Sequence, residues 1–149
     1  MNDRVVEARR GDLTLSTDRS RLDLETILDM LHDSHWGAAV TRRILERAVA
    51  NSICVGVYRG DEQLAFARAV TDLATYAYLT DVIVAPSARG RGLGSWMIET
   101  FLVHPDLQGL RRVTLLTRDA QALYEKFGFS TKMPASTYME MRPGPNRPQ

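Results

Sequence analysis

One stretch decides the fold of this chain: Asp81-Val-Ile-Val-Ala-Pro-Ser-Ala-Arg-Gly-Arg-Gly-Leu-Gly-Ser95. A short apolar run ends at a proline, a basic glycine-rich loop follows, and an amphipathic segment begins directly after it. This order predicts a strand, a tight loop and the first turn of a helix. Unpaired N–H groups and the helix dipole favour an anion at such a junction, glycine lets the main chain approach a ligand, and arginine adds charge-assisted donors. The stretch therefore predicts an anion site.

Two common phosphate loops do not match this spacing. The pattern G-x-x-x-x-G-K-[ST] requires a lysine after its last glycine, whereas Gly94 is followed by Ser95, so a nucleotide triphosphatase is not indicated. The pattern G-x-G-x-x-G does not match either. A dinucleotide fold would also place its loop near the start of a βαβ unit.

The loop instead resembles a signature of the GNAT superfamily, the acyl-CoA-dependent N-acyltransferases. Arg89-x-x-Gly92-x-Gly94 matches that superfamily's pyrophosphate loop, whose pattern is Gln/Arg-x-x-Gly-x-Gly/Ala. The strand-like run Leu79-Thr-Asp-Val-Ile-Val84 precedes it. Further along the chain, Ala122-Leu-Tyr-Glu-Lys-Phe-Gly-Phe129 is similar to the superfamily's second signature. With the order of elements, the resemblance covers roughly residues 12 to 141.

Composition indicates one soluble domain. The 149 residues are 44% apolar and 25% charged, which is ordinary for a globular protein. The net charge of +1 does not indicate a nucleic-acid partner, and the single Cys54, expected in the core, excludes an internal disulfide. No signal peptide is evident, and no run reaches the roughly 18 apolar residues of a membrane span. We therefore expect a cytoplasmic protein with no membrane partner.

The order of the elements predicts an α+β fold. Residues 1–10 are expected to be a loose leader, residues 11–142 the GNAT domain and residues 143–149, with three prolines, a disordered tail. A mixed, mostly antiparallel central sheet with helices on both faces is expected, as in the GNAT fold. Periodicity and turn signals predict an edge strand at 13–17, helices at 23–32 and 41–51, strands at 52–58, 63–70 and 76–84, a helix at 95–104, a strand at 112–117, a helix at 119–126 and a strand at 138–141.

The resemblance implies that acetyl-CoA is the cosubstrate and that its acetyl group passes directly to an amine. It also implies that main-chain N–H groups of the strand at 82–84 point at the acyl carbonyl, where such a donor contributes on the order of 3 kcal/mol. Thr117 stands where many relatives carry asparagine. The expected carrier-binding residues are Val82, Ile83, Val84, Arg89, Gly90, Arg91, Gly92, Leu93, Gly94, Ser95, Thr117 and Tyr124.

Tyr124 occupies the tyrosine position of the second signature and is the expected general acid. A phenol with an ordinary pKa of about 10 can protonate a departing thiolate whose acid has a pKa of about 8.5. The alternative is that Tyr124 only completes an apolar helix face with Leu123 and Phe127.

The general base has several candidates. Asp81 lies beside the carbonyl-polarising segment, yet strand alternation places it on the opposite face from Val82, so a structural role is equally open. Tyr78, Asp72 and His35 are further candidates, and a chain of water molecules is another route for the proton.

The acceptor pocket is expected between the first two helices and the middle of the sheet. Its candidate residues are His35, Trp36, Arg68, Asp72 and Tyr78; Trp36 is alternatively a core side chain. The lack of an acidic cluster or long groove favours a small-molecule amine. A non-catalytic acyl-CoA-binding regulatory module, or transfer of a longer acyl group, are the competing functions.

Two further features concern metals and assembly. His32 and His104 have no companion at metal-ligand spacing, so no metal site is expected. Met133, Met139 and Met141 are expected to fill gaps in the core, with a homodimer surface or an acyl pocket as alternatives.

Overall fold

A computed structural model describes residues 3–34, 37–131 and 137–143. The chain divides into two compact units, Met1–Leu116 and Thr117–Gln149. Within these described residues, the first unit carries the sheet and three α-helices, and the second carries one short α-helix. No helix in the described ranges has the length and apolar character needed to cross a bilayer.

The first unit is built on one mixed sheet of six strands. Neighbouring strands are antiparallel from β1 to β5, and β6 runs parallel to β5. This confirms the expected mostly antiparallel sheet. In chain order, which is also their order in the sheet, the strands are β1 (Glu7–Arg10), β2 (Leu13–Ser16), β3 (Ser52–Arg59), β4 (Glu62–Thr71), β5 (Tyr76–Val84) and β6 (Arg112–Leu115).

Three helices of the first unit begin where the sequence predicts or close to it. The side chain of Asp23 accepts a hydrogen bond from the Thr26 N–H and caps the first helix, and Thr41 caps the second in the same way. The third helix begins two residues earlier than expected. They are α1 (Leu24–His32), α2 (Arg42–Ala50) and α3 (Leu93–Val103).

The helices cover both faces of the sheet. Apolar side chains of α1 and α2 pack against Cys54, Phe66 and Ile83. On β4 the alternating alanines 65, 67 and 69 lie on the opposite face, where α3 packs against β3, β4 and β5. Cys54 is a buried core thiol, as expected, and burial raises its pKa to about 12.

The beginning of the chain differs from the expectation. Residues 7–10 form β1, so the prediction of a loose leader is wrong for them, and β2 is not an edge strand because β1 pairs with it. The four β1 side chains are all exposed and show no apolar alternation, which explains why the pattern was missed.

Long-range contacts fix the segment before β1. Asp3 forms an ion pair with Arg19, and Arg4 donates two side-chain hydrogen bonds to Asp106. The imidazole of His104, which is fully buried, bonds to the carbonyl oxygen of Arg4 at 3.1 Å and accepts from the Asp106 N–H at 3.1 Å. The segment is therefore joined to the turn that follows α3.

The second unit contains α4 (Gln121–Glu125), which is shorter than predicted. The described residues 137–143 contain no strand, so the expected strand at 138–141 is wrong. Met139 is 93% exposed and Met141 is 69% exposed, which contradicts their assignment to core gaps; Met133 lies outside the described residues.

Candidate functional site

A bulge interrupts β5 just before the glycine loop. Phe66 pairs with Ile83 and Arg68 pairs with Thr80, so Ala67 alone faces both Asp81 and Val82. Two residues against one is a β-bulge, which disrupts the ladder and leaves main-chain groups without their usual cross-strand partners. Asp81 has a φ of +53°, a conformation that costs a residue with a Cβ on the order of 1–3 kcal/mol. The bulge adjoins the segment expected to polarise the acyl carbonyl.

An ion pair bridges the bulge. The Arg68 Nε donates to the Asp81 Oδ2 at 2.6 Å, and the two side chains are only 19% and 14% exposed. A second guanidinium nitrogen donates to the Ser52 Oγ at 3.2 Å, and that hydroxyl donates to the Ala48 carbonyl of α2 at 2.7 Å. The sequence predicted Arg68 in the acceptor pocket and left Asp81 open between proton transfer and a structural role; the structure places the two charges against each other.

The glycine loop ends at a helix start that no side chain caps. Gly92 is the N-cap of α3, with a φ of +75°, and its carbonyl accepts the first helical hydrogen bond, from Trp96, at 3.0 Å. The N–H groups of residues 93–95 in the first turn have no intrahelical partner. A Cβ placed on Gly92 or Gly94 would meet no atom within 4 Å, so the space in front of this turn is open. The first turn of α3 can therefore receive an anion.

Two arginines flank this turn. Arg89 and Arg91 are both exposed, and the Arg89 Nε donates to the carbonyl of Val84 at 3.3 Å, which ties the loop to the end of β5. The Ala85 N–H also donates to the Leu64 carbonyl at 2.8 Å. The chain thus passes from the bulge to the helix start through a short loop fixed to the sheet.

Thr117 and Tyr124 belong to the second unit. The Thr117 Oγ1 accepts a hydrogen bond from the Ala120 N–H at 3.1 Å, one turn ahead of α4. Tyr124 is half-buried, its ring meets that of Phe129 edge-on at 6.0 Å between centroids, and burial raises its pKa. Its phenol therefore stays protonated at neutral pH.

The acceptor candidates fall in different places. Tyr78 pairs with Val70 across β4 and β5, so it lies on the same face as Arg68, and it is half-buried. Asp72 is exposed and accepts hydrogen bonds from the N–H groups of Ala74, Thr75 and Tyr76 in the turn before β5, which together with the Thr75 hydroxyl lower its pKa. His35 and Trp36 lie outside the described residues.

The structure therefore brings Arg68, Asp81 and Tyr78 to one face of the sheet and leaves Asp72 at its end. The described residues hold no group of three or more His, Cys, Asp or Glu side chains arranged for a metal ion.

Comparison with known proteins identifies the family. The family model for the acetyltransferase (GNAT) domain matches residues 50–131, a range that includes the bulge, the glycine loop and α4. The chain belongs to this family of acyltransferases.

Individual relatives agree with this assignment. A Gibberella zeae protein named as a candidate acetyltransferase is 34% identical, and the alignment covers 78% of each chain. A crystal structure of a candidate GNAT acetyltransferase from Xanthomonas campestris is 41% identical, with a TM-score of 0.83 over 89% of this chain and 94% of that one. A candidate acetyltransferase from Clostridium acetobutylicum, solved with acetyl-CoA, is 13% identical and shares the fold, with a TM-score of 0.62 over 93% of this chain and 95% of that one.

Proposed function

We propose that this protein transfers an acetyl group from acetyl-CoA directly to a primary amine, and that the acceptor is a small-molecule amine. The observation that carries the proposal is the uncapped first turn of α3, which opens beside a bulged strand and is flanked by two exposed arginines. The chain thus carries, one after the other, main-chain donors for a thioester carbonyl and a binding site for a pyrophosphate.

The carrier is held by the loop from Arg89 to Ser95. The N–H groups of the first turn of α3 bind the pyrophosphate oxygens, and the positive end of the helix dipole adds to this attraction. Arg89 and Arg91 supply charge-assisted hydrogen bonds at the rim.

The bulge supplies polarisation of the carbonyl. An N–H group of the segment 82–84 donates to the carbonyl oxygen as negative charge develops on it, which is worth on the order of 3 kcal/mol in the transition state. Only main-chain atoms are needed for this step, so the apolar side chains of Val82, Ile83 and Val84 are compatible with the role.

Tyr124 protonates the departing thiolate. The proposal rests on its position in the family's second signature, and the raised pKa of its phenol means only that the proton is present at neutral pH. Because the thiol of the leaving group is more acidic than the phenol, this proton transfer is uphill by about 2 kcal/mol for ordinary pKa values of about 8.5 and 10, and the proton that the amine releases to water restores the phenol. Thr117 takes part in binding the carrier in place of the asparagine found in relatives.

The amine loses its proton to water in this scheme. One oxygen of Asp81 is already engaged by Arg68, which leaves this carboxylate tied to the bulge. The acceptor lies beside Tyr78, on the face where Val70 and Tyr76 are each 42% exposed. Apolar and aromatic surface of this kind suits a compact amine, whose protonated form can approach the face of an aromatic ring.

Titration calorimetry with acetyl-CoA, followed by a free-thiol assay over small amines, lysine and peptides, tests the proposal. Gly92→Asp is the control, because aspartate tolerates both a positive φ and an N-cap position while its charge repels a pyrophosphate. We expect binding and thiol release with at least one small amine, and neither in the control.

The other outcomes separate the alternatives. Binding without release across the panel would favour a regulatory acyl-CoA-binding module. Release of the thiol with peptides alone would overturn the small-molecule assignment. Faster release of the thiol from longer acyl-CoA esters would overturn the acetyl assignment. Absence of acetyl-CoA binding would reject the proposal.

A further inference from the structure

We propose that the ion pair between Arg68 and Asp81 holds the bulge of β5 in the shape required for acetyl transfer, so that both are positioning residues rather than acceptor-binding or proton-transfer groups. The inference rests on the proposed function, because it concerns the donors that polarise the thioester carbonyl.

The pair sits where the ladder between β4 and β5 loses its one-to-one register. Arg68 directly follows Ala67, the residue that faces the bulge, and Asp81 is one of the two residues that Ala67 faces. The distance of 2.6 Å from the Arg68 Nε to the Asp81 Oδ2 spans the two strands at this point. A charge-assisted hydrogen bond therefore replaces the main-chain contact that the bulge disrupts.

The arginine is itself fixed from the other side. Its Nη1 donates to the hydroxyl of Ser52, which is 1% exposed and which donates to the Ala48 carbonyl of α2. Asp81 is thus connected through β4 and β3 to a helix. A movement of the bulge would have to break this chain of hydrogen bonds or carry β3 and α2 with it.

Loss of the pair has a specific structural consequence. Asp81 has a φ of +53°, which a residue with a Cβ rarely adopts without support. Without the ion pair, Asp81 can return to an extended conformation, and a one-residue change of register redirects every following residue of the strand. The N–H groups of 82–84 then turn away from the carbonyl, whereas the N-terminal turn of α3 still binds the carrier.

The test compares Asp81→Asn, Arg68→Met and Arg68→Lys with Asp12→Asn. The last variant is the matched control, because it removes the carboxylate partner of Arg59 in an ion pair outside the site. The measurements are kcat, the KM for acetyl-CoA, the pH profile and amide hydrogen exchange of residues 80–84.

We expect Asp81→Asn and Arg68→Met to lower kcat by about 10- to 100-fold, the effect of a small misplacement of a reacting group. The KM for acetyl-CoA should stay within about twofold, since the pyrophosphate grip is a separate element. Both variants should show faster amide exchange at 81–84 and keep the wild-type pH profile. A double variant that combines Asp81→Asn with Arg68→Met should have a kcat only slightly lower than that of either single variant, because both changes break the same pair. Arg68→Lys should have a higher kcat than Arg68→Met. Asp12→Asn should behave as wild type.

Asp81→Gly guards against a variant that does not fold, because glycine adopts a positive φ without strain. It should melt near the wild-type temperature and still lose kcat. Wild-type kcat in Arg68→Met or Asp81→Gly would overturn the inference, as would a pH profile that changes in Asp81→Asn alone, since the carboxylate would then act as the base. If the wild-type protein itself releases no thiol, the proposed function fails, while unchanged exchange at 81–84 in the variants would separately reject the role of the pair.

Discussion

The proposed anion site at the start of α3 can be tested by replacing each of two glycines, Gly92 and Gly94, with alanine. Gly92 has a φ of +75° and Gly94 lies inside the helix without a positive φ. A Cβ at either position meets no atom within 4 Å, so neither alanine variant creates a clash. Any effect on stability or on binding must therefore come from the conformation of the backbone.

The two alanine variants should differ in sign. Gly92→Ala forces a Cβ into the left-handed region and should lower the free energy of unfolding by about 1–2 kcal/mol. Gly94→Ala should raise it by up to about 1 kcal/mol, the difference in helix propensity. At roughly 2–4 °C per kcal/mol for a chain of this size, the melting temperatures should separate by about 6 °C.

Binding of the carrier should change in one of the two variants. The family's loop pattern accepts alanine at the position of Gly94, so the Kd for acetyl-CoA should stay near the wild-type value in Gly94→Ala, whereas Gly92→Ala, which disturbs the loop at the N-cap of α3, should raise it at least about tenfold, or 1.4 kcal/mol. Thermal unfolding and calorimetry on the same samples measure both quantities. Wild-type affinity in Gly92→Ala would refute the role of the loop in holding the pyrophosphate, and wild-type stability in Gly92→Ala would refute the conformation of the loop.

Three further variants test the second signature, the turn before β5 and the N-terminal anchor. Tyr124→Phe should lower kcat at least about tenfold and leave the Kd for acetyl-CoA unchanged. Because burial raises the pKa of Tyr124, the wild-type kcat should show no decline from ionisation of this phenol below about pH 10. An equal kcat in the variant would show that Tyr124 is not the general acid. Asp72→Ala should have a lower melting temperature than wild type at pH 7. The folded state lowers the pKa of Asp72, so its stabilisation is lost on protonation, and the difference in melting temperature should close as the pH falls below about 4. A difference that does not depend on pH would contradict this. Asp106→Ala should lower the melting temperature and speed amide exchange in β1, whereas Glu46→Gln, which breaks only the exposed pair with Arg42, should change neither.

The sequence predicted most of the sheet and the helices that cover it. Strands β3, β4 and β5 carry apolar runs separated by clear turn residues, and α1 and α2 begin at Asp23 and Thr41, which are strong N-caps. These signals lie in residues that are adjacent in sequence, so they predict the elements without knowledge of the fold. β1 has no such signal, and its position depends on pairing with β2 and on contacts with residues far along the chain.

The sequence predicted the motifs of the candidate site but did not predict how its residues are arranged. The glycine loop predicts an anion site, yet the helix was expected to begin only after Gly94, whereas it begins at Leu93. An aspartate inside the apolar run 79–84 was visible, and aspartate tolerates a positive φ. Its partnership with Arg68 depends on the register between two strands, which no local pattern specifies.

The contact between Arg4 and Asp106 has a consequence for folding during synthesis. The two residues are separated by 102 positions, so a ribosome makes residue 4 long before its partner exists. Asp3 and Val6 can meet Arg19 and Thr17 early, whereas Arg4 must wait until the turn after α3 has been made, and the buried ring of His104 can gain its contact with Arg4 only then. The domain is therefore expected to pass through a stage in which most of the sheet is formed while the segment before β1 is still accessible to proteases and chaperones.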